Sequence, residues 1–428
     1  MLHPAYPVEA RTDTTAARFR QVRSASLALA QELSEADQTA QSMPDASPTK
    51  WHLAHTTWFF ETFVLLPHHG GYRTFDPSFA YLFNSYYEQA GPRHPRPQRG
   101  LITRPSAAEV IAYRRHVDLA MEDFLAGSQA AEPGLADLID LGLHHEQQHQ
   151  ELLLTDILHL LAQSPLRPAY RTPANMEATG PGEPNAVTWH RYPAGIGEIG
   201  HRGDGFAYDC ERPRHQVLVQ PFKLAGRAVT NREWFSFIED GGYHTATLWL
   251  SDGWGIVQEE AWRAPLYWEQ RDGTWWSMTL QGLQPIEADA PVCHVSYFEA
   301  DAFARWAGKR LPTEAEWELA AAQLPIAGNM QDTGALRPLP ATDGVGGPAQ
   351  MFGDVWEWTS STFGAYPGFR TAEGAVGEYN GKFMCGQFVL RGGSCATPEG
   401  HVRASYRNFF YPHQRWQFAG LRLAEDDY

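Results

Sequence analysis

Apolar residues recur at helical spacing through roughly the first 165 residues and lose that spacing afterwards, so the chain divides into two parts of different kind. Residues 14–35 predict a first amphipathic helix, with Phe19, Val22, Leu27, Leu29 and Leu33 apolar. After a polar loop holding Pro44 and Pro48, a second helix opens at Pro48 and is expected to run to about Leu66. Ser106 and Glu109 form a capping box ahead of a third helix that reaches Leu125 and stops at Gly127. The fourth, residues 134–163, carries Leu135, Leu138, Leu141, Leu152, Ile157 and Leu160. Residues 170–185 are rich in Pro, Gly and Ala without periodicity and read as a linker. Beyond it come short β-like runs at 216–224, 292–296 and 388–391. Only two helices are expected there, one capped by Ser296 and Glu299 and the other by Thr313 and Glu316. The pattern therefore predicts a four-helix domain over residues 1–172 and an irregular α+β domain over 173–428.

Composition narrows the function classes. A length of 428 residues favours two domains, and 43% apolar content supports a core in each. The net charge of −16, with no block of Lys or Arg, speaks against nucleic acid or an anionic membrane as partner. Cys210, Cys293, Cys385 and Cys395 form no Cys-x-x-Cys pair, so a reduced, cytoplasmic setting is expected. Met1 to Arg11 has no apolar run of signal-peptide length, and no run of ~20 apolar residues occurs.

The candidate chemistry lies in the fourth helix, where His145 and His149 stand four residues apart. Side chains at that spacing share a helix face roughly 6 Å apart and can bind one metal ion together, while His144 is turned about 100° away. Two other readings stay open at this point: ordinary surface histidines, or the helical zinc-protease motif His-Glu-x-x-His with Glu146 as base. On the second helix, His55 shares a side with Trp51 and Phe59, and His52 lies on another. Between these helices, residues 67–104 form a long loop rich in Gly, Pro, Arg and aromatics, a composition expected of a functional loop.

Trp51-His-Leu-Ala-His55 together with His145-Glu-Gln-Gln-His149 resembles the DinB-like four-helix domain of the sulfoxide synthases of ergothioneine biosynthesis. The second half resembles the formylglycine-generating-enzyme domain fused to it, a C-type-lectin-like fold. The stretches that carry this are Glu211-Arg-Pro-Arg-His215, Val229-Thr-Asn-Arg-Glu233, Pro291-Val-Cys-His-Val-Ser296, Gly308-Lys-Arg-Leu-Pro312, Gly353-Asp-Val-Trp-Glu-Trp358, Arg391-Gly-Gly-Ser394 and Gly420-Leu-Arg422. The resemblance implies a non-haem iron(II) oxygenase that joins the sulfur of cysteine or γ-glutamylcysteine to the imidazole C2 of hercynine, using O2. It implies His55, His145 and His149 as iron ligands, with Gln148 and Asn408 contacting hercynine. Phe410 stands where relatives that use γ-glutamylcysteine carry an acidic residue, which implies the cysteine-using type. Tyr86 and Tyr87 match the region of that type's catalytic phenol, with Tyr87 preferred; Arg93 and Arg96 are candidates for the donor carboxylate. His52 and His144 are expected to be dispensable for the metal.

Related synthases taking γ-glutamylcysteine, another imidazole or selenium are the nearest alternatives, followed by a DinB-type metal-dependent thiol transferase. A formylglycine-generating oxidase is disfavoured because Cys395 is displaced from the expected position and lacks a suitable second Cys. A lectin-like binding module lacks the clustered acidic and amide residues of a calcium site.

Overall fold

The computed structural model describes residues 14–172, 186–342, 346–373 and 375–427. The N-terminal stretch Met1 to Arg11 and most of the expected linker, 173–185, lie outside the described residues.

Four long helices build the first domain: α1 (Thr15–Ala30), α2 (Thr49–Phe60), α3 (Ala107–Ala126) and α4 (Pro133–Ala162). Helix α1 ends five residues before the expected Glu35, because Ser34 and Asp37 form a capping box that starts a separate short helix, Glu35–Thr39. Helix α2 packs on both α3 and α4, and α1 packs on α4. Every residue of α2 is buried, so its polar side chains depend on partners within the protein. Past Phe60 the helix continues through a π-helical turn, Glu61–Leu65, an irregularity frequent near functional sites. Glu61 in that turn accepts hydrogen bonds from the Tyr72 and Tyr113 hydroxyls, both at 2.6 Å.

Helices α2 and α4 cross at Gly142. A Cβ there would fall 2.6 Å from Cε1 of Phe60 and 2.9 Å from Cε1 of Phe59, so only glycine permits this approach. The crossing lies three residues before His145 and brings it to His55.

In the second domain, strands β1 (Trp189–Tyr192), β4 (Phe222–Ala225) and β12 (Ala424–Asp426) form one antiparallel sheet with β4 central. A four-stranded sheet runs in the order β10 (Asn408–Phe410), β9 (Phe388–Arg391), β8 (Trp356–Thr362) and β11 (Ala419–Gly420). Hairpin β2 (Gly195–Ile199) with β3 (His215–Val219), and a meander of β5 (Trp268–Arg271), β6 (Thr274–Thr279) and β7 (Gly282–Pro285), complete the strands among the described residues.

The helices here outnumber the expected two. Besides α7 (Tyr297–Trp306) and α8 (Glu314–Ala321), which begin at the expected caps, there are α5 (Asn231–Glu239) and α6 (Ser251–Glu259). The motif arginines are structural: Arg422 pairs with buried Glu357, which also accepts the Trp317 indole N–H at 2.7 Å, and Arg391 and Arg407 converge on Glu314.

The two domains meet along α4. Glu151 is buried and accepts hydrogen bonds from Trp356 Nε1, Ser394 Oγ and Thr397 Oγ1, each at 2.7 Å. The helix that bears His145 and His149 is thereby fixed to the second domain. No helix among the described residues is long and apolar enough to cross a membrane.

Candidate metal centre

His55 from α2 and His145 and His149 from α4 offer ligand atoms that all lie within 4.8 Å of one another. Nε2 of His55 is 3.1 Å from Nε2 of His145, and Nδ1 of His55 lies 2.6 Å from the carbonyl oxygen of Phe83. That carbonyl can only accept, so His55 carries its proton on Nδ1 and presents a lone pair at Nε2. Trp51 and Trp58 stack on the two faces of the His55 ring, at centroid distances of 4.6 and 5.6 Å, and fix its plane.

Burial drives all three imidazoles below the ordinary histidine range, His145 to about 3, and repulsion between their cationic forms adds to this at His55 and His149. They are therefore neutral at pH 7, the form that ligates a metal. A stability effect follows with a definite sign. The unfolded chain takes up protons on these histidines below about pH 6.5, whereas the native chain does not, so acid favours unfolding. We expect the melting temperature of metal-free protein to hold above pH 6.5 and to fall steadily below it, down toward the folded value of His145 near 3. Melting curves over pH 5–8 check this; a flat or rising profile on the acid side contradicts it.

Glu146 is no general base. Its carboxylate faces the bundle interior, where it accepts from Ser26 Oγ at 2.6 Å and Arg23 Nη1 at 2.8 Å and pairs with Arg114. Burial pushes it up, but Arg114 and Arg23 overcome this and hold it at about 2. The zinc-protease reading therefore loses its catalytic group. His144 turns to the other domain, stacking on Phe206 at 4.0 Å with its Nδ1 3.3 Å from Nδ1 of His401.

A chain of aromatic rings joins His145 to His55. Tyr379 meets the His145 ring edge-on at 5.6 Å and donates its hydroxyl to Gln148 Oε1 at 2.6 Å. Tyr86 follows, 6.2 Å from Tyr379, then Tyr87, stacked on Tyr86 at 4.6 Å, then Trp58. The Tyr87 hydroxyl is buried and has no hydrogen-bond partner among the described residues. Asn84 shapes this turn by bonding the backbone of Tyr87 and Gly91. Glu378 ties the Tyr379 segment to it by accepting the N–H groups of Glu88 and Gln89, each at 2.9 Å.

Arg93 and Arg96 are exposed: Arg93 pairs with Glu88, and Arg96 donates to the carbonyl of Asp45. The arginine of this loop that enters the site is Arg99. Its guanidinium lies 3.4 Å from the centroid of Trp51, the ring that covers His55, and donates to the hydroxyls of Ser47 and Ser85. Its Nε has no partner among the described residues. Asn408 and Phe410 are half-buried on one face of β10, while Phe409 on the other face stacks with Phe363 and Phe383. Phe383 in turn meets Tyr86 edge-on at 5.2 Å, so β10 stands behind the phenol loop.

Residues 18–153 match the DinB superfamily, and residues 188–335 and 343–427 match the sulfatase-modifying factor enzyme 1-like domain. Fold and site thus define a class in which a helical bundle with an inward-facing histidine triad is joined to a sulfatase-modifying-factor-type α+β domain. Along 92% of its length the chain is 34% identical to the hercynine oxygenase of Mycobacterium tuberculosis, covering 95% of that protein. With the hercynine oxygenase of Mycolicibacterium thermoresistibile the identity is 35%, over 92% of this chain and 91% of that one. The formylglycine-generating enzyme of Streptomyces coelicolor is 30% identical over 55% of this chain and 88% of its own. The chain belongs to the hercynine oxygenase family and is an oxidoreductase.

Proposed function

We propose that this enzyme is an iron(II)- and O2-dependent sulfoxide synthase that joins the sulfur of L-cysteine to the imidazole C2 of hercynine, giving hercynylcysteine sulfoxide in ergothioneine biosynthesis. The observation that carries the reading is the triad of neutral histidines, His55 and His145 buried and His149 half-buried, in a chain similar to hercynine oxygenases along nearly all its length. The division into a helical domain at 1–172 and an α+β domain at 173–428 is part of the same proposal.

The donor set fits iron. Three neutral imidazoles suit a divalent first-row metal and leave coordination positions free. Iron(II) held there would supply the redox chemistry with O2 and keep the donor thiol deprotonated. The chain's own residues bind and orient the substrates. Gln148, held by the Tyr379 hydroxyl, is the candidate contact for hercynine, with Asn408 as a second candidate. Arg99 is favoured for the donor carboxylate, since it is a buried guanidinium beside Trp51 with hydroxyl partners only, and Arg93 and Arg96 are candidates nearer the surface. The phenols of Tyr379, Tyr87 and Tyr86 hold protons near the triad.

Phe410 supports free cysteine as donor, because its ring offers no carboxylate to accept a charge-assisted hydrogen bond from the ammonium of a glutamyl group. The lost charge-assisted hydrogen bond is worth about 1.5–3 kcal/mol, so kcat/KM is expected to favour cysteine by roughly 10- to 100-fold. Aerobic assays of iron-loaded enzyme with hercynine and either thiol measure this. Equal or higher kcat/KM with γ-glutamylcysteine overturns the donor assignment.

A further inference from the structure

His52 stands three residues before His55 on α2, and its ring meets His149 instead of the centre of the triad. Nδ1 of His52 is 2.8 Å from Nδ1 of His149, and Nε2 of His52 is 3.0 Å from Oδ2 of Asp156. Asp156 lies seven residues beyond His149, two turns along α4. The same carboxylate oxygen accepts the backbone N–H of Ser47 at 2.7 Å, which fixes its position. His52 and Asp156 are both buried, so water does not compete for the bond between them.

The geometry assigns the hydrogens along this line. A carboxylate only accepts, so the hydrogen between Asp156 and His52 is on His52 Nε2, and His52 Nδ1 is then an acceptor. The bond between the two Nδ1 atoms consequently has His149 as donor. A neutral imidazole with its hydrogen on Nδ1 has its lone pair on Nε2. Asp156 therefore determines, through His52, that His149 offers Nε2 as its ligand atom. Phe83 does the same for His55 through one carbonyl, whereas Nδ1 of buried His145 has no partner among the described residues.

We propose that His52 and Asp156 are positioning residues: a hydrogen-bonded relay that fixes the tautomer and ring orientation of His149 for metal binding. This replaces the expectation from helix register that His52 is dispensable, and it rests on the triad being the metal site. Partners of this kind contribute about 10–100-fold in metal affinity.

The test measures dissociation constants for Fe(II) and Co(II) by competition with a chromophoric chelator, together with the melting temperature of each metal-free variant. His52→Leu removes the acceptor and is expected to weaken binding about 10–100-fold. His52→Asn puts an amide oxygen where Nδ1 stands and is expected to recover most of that loss. Asp156→Asn keeps an oxygen for both Ser47 and His52 and is expected to lose less than His52→Leu. Wild-type affinity in His52→Leu overturns the relay, as does equal weakness of the Leu and Asn variants, which would mean that ring volume alone matters. His145→Ala in the same titration separates the two levels. Unchanged binding there removes the metal-site reading, while weakened binding there with unaffected His52 variants removes only the relay.

Discussion

Alanine at His55, His145 or His149 is expected to strip the enzyme of iron and take turnover below detection. Each residue is one of the three proposed ligands, two of them on α4 and one on α2, so each variant leaves only two donors. The loss should exceed the 10–100-fold typical of outer partners such as His52. Metal content and a coupled activity assay measure both effects. His144→Ala is the matched control, because His144 stacks on Phe206 across the domain interface and is directed away from the triad. Iron loss in His144→Ala with retention in His145→Ala would invert the helical register and contradict the assignment.

The second large effect is on product identity. In the proposed reaction, carbon–sulfur bond formation competes with simple oxidation of the donor thiol to cysteine sulfinate, and timely proton delivery is expected to decide between them. Burial lifts Tyr379 and Tyr87 well above the ordinary phenol value, so each keeps its proton at pH 7. Tyr379 is the better placed, since its ring touches His145 and its hydroxyl is held by Gln148. Tyr379→Phe is expected to bind iron normally and to shift the sulfoxide-to-sulfinate ratio by 100-fold or more toward sulfinate, in the range typical of a lost general acid. Tyr87→Phe should shift it less, and Tyr86→Phe least. Quantifying both products by mass spectrometry decides this. An unchanged ratio in all three variants would assign the proton to water.

The bundle was legible because four segments carried helical periodicity, and Ser106 there, like Ser296 and Thr313 in the second domain, caps where its Glu partner predicts. The triad was legible in halves. Spacing alone pairs His145 with His149, but His55 joins them only through the crossing at Gly142, which helix periodicity does not encode. Helix α5 had a readable signal, the capping box of Thr230 and Glu233, although its nine residues are too few for a clear period. What local pattern could not supply were contacts across the chain. Tyr379 sits in a glycine-rich stretch 231 positions from Gln148. Arg93, Arg96 and Arg99 recur every third residue in one loop, and packing on Trp51 is what singles out Arg99. His52 lies off the His55 face of its own helix, yet its ring reaches His149 on the facing one.

The most direct test supplies iron(II)-loaded enzyme with hercynine, L-cysteine and 18O2 and reads the products by mass. The expected product is hercynylcysteine sulfoxide carrying a single 18O atom, the second oxygen leaving as water, with formation abolished in His145→Ala. Cysteine oxidation products alone from the wild-type enzyme, or a coupled product whose formation does not require O2, would contradict it.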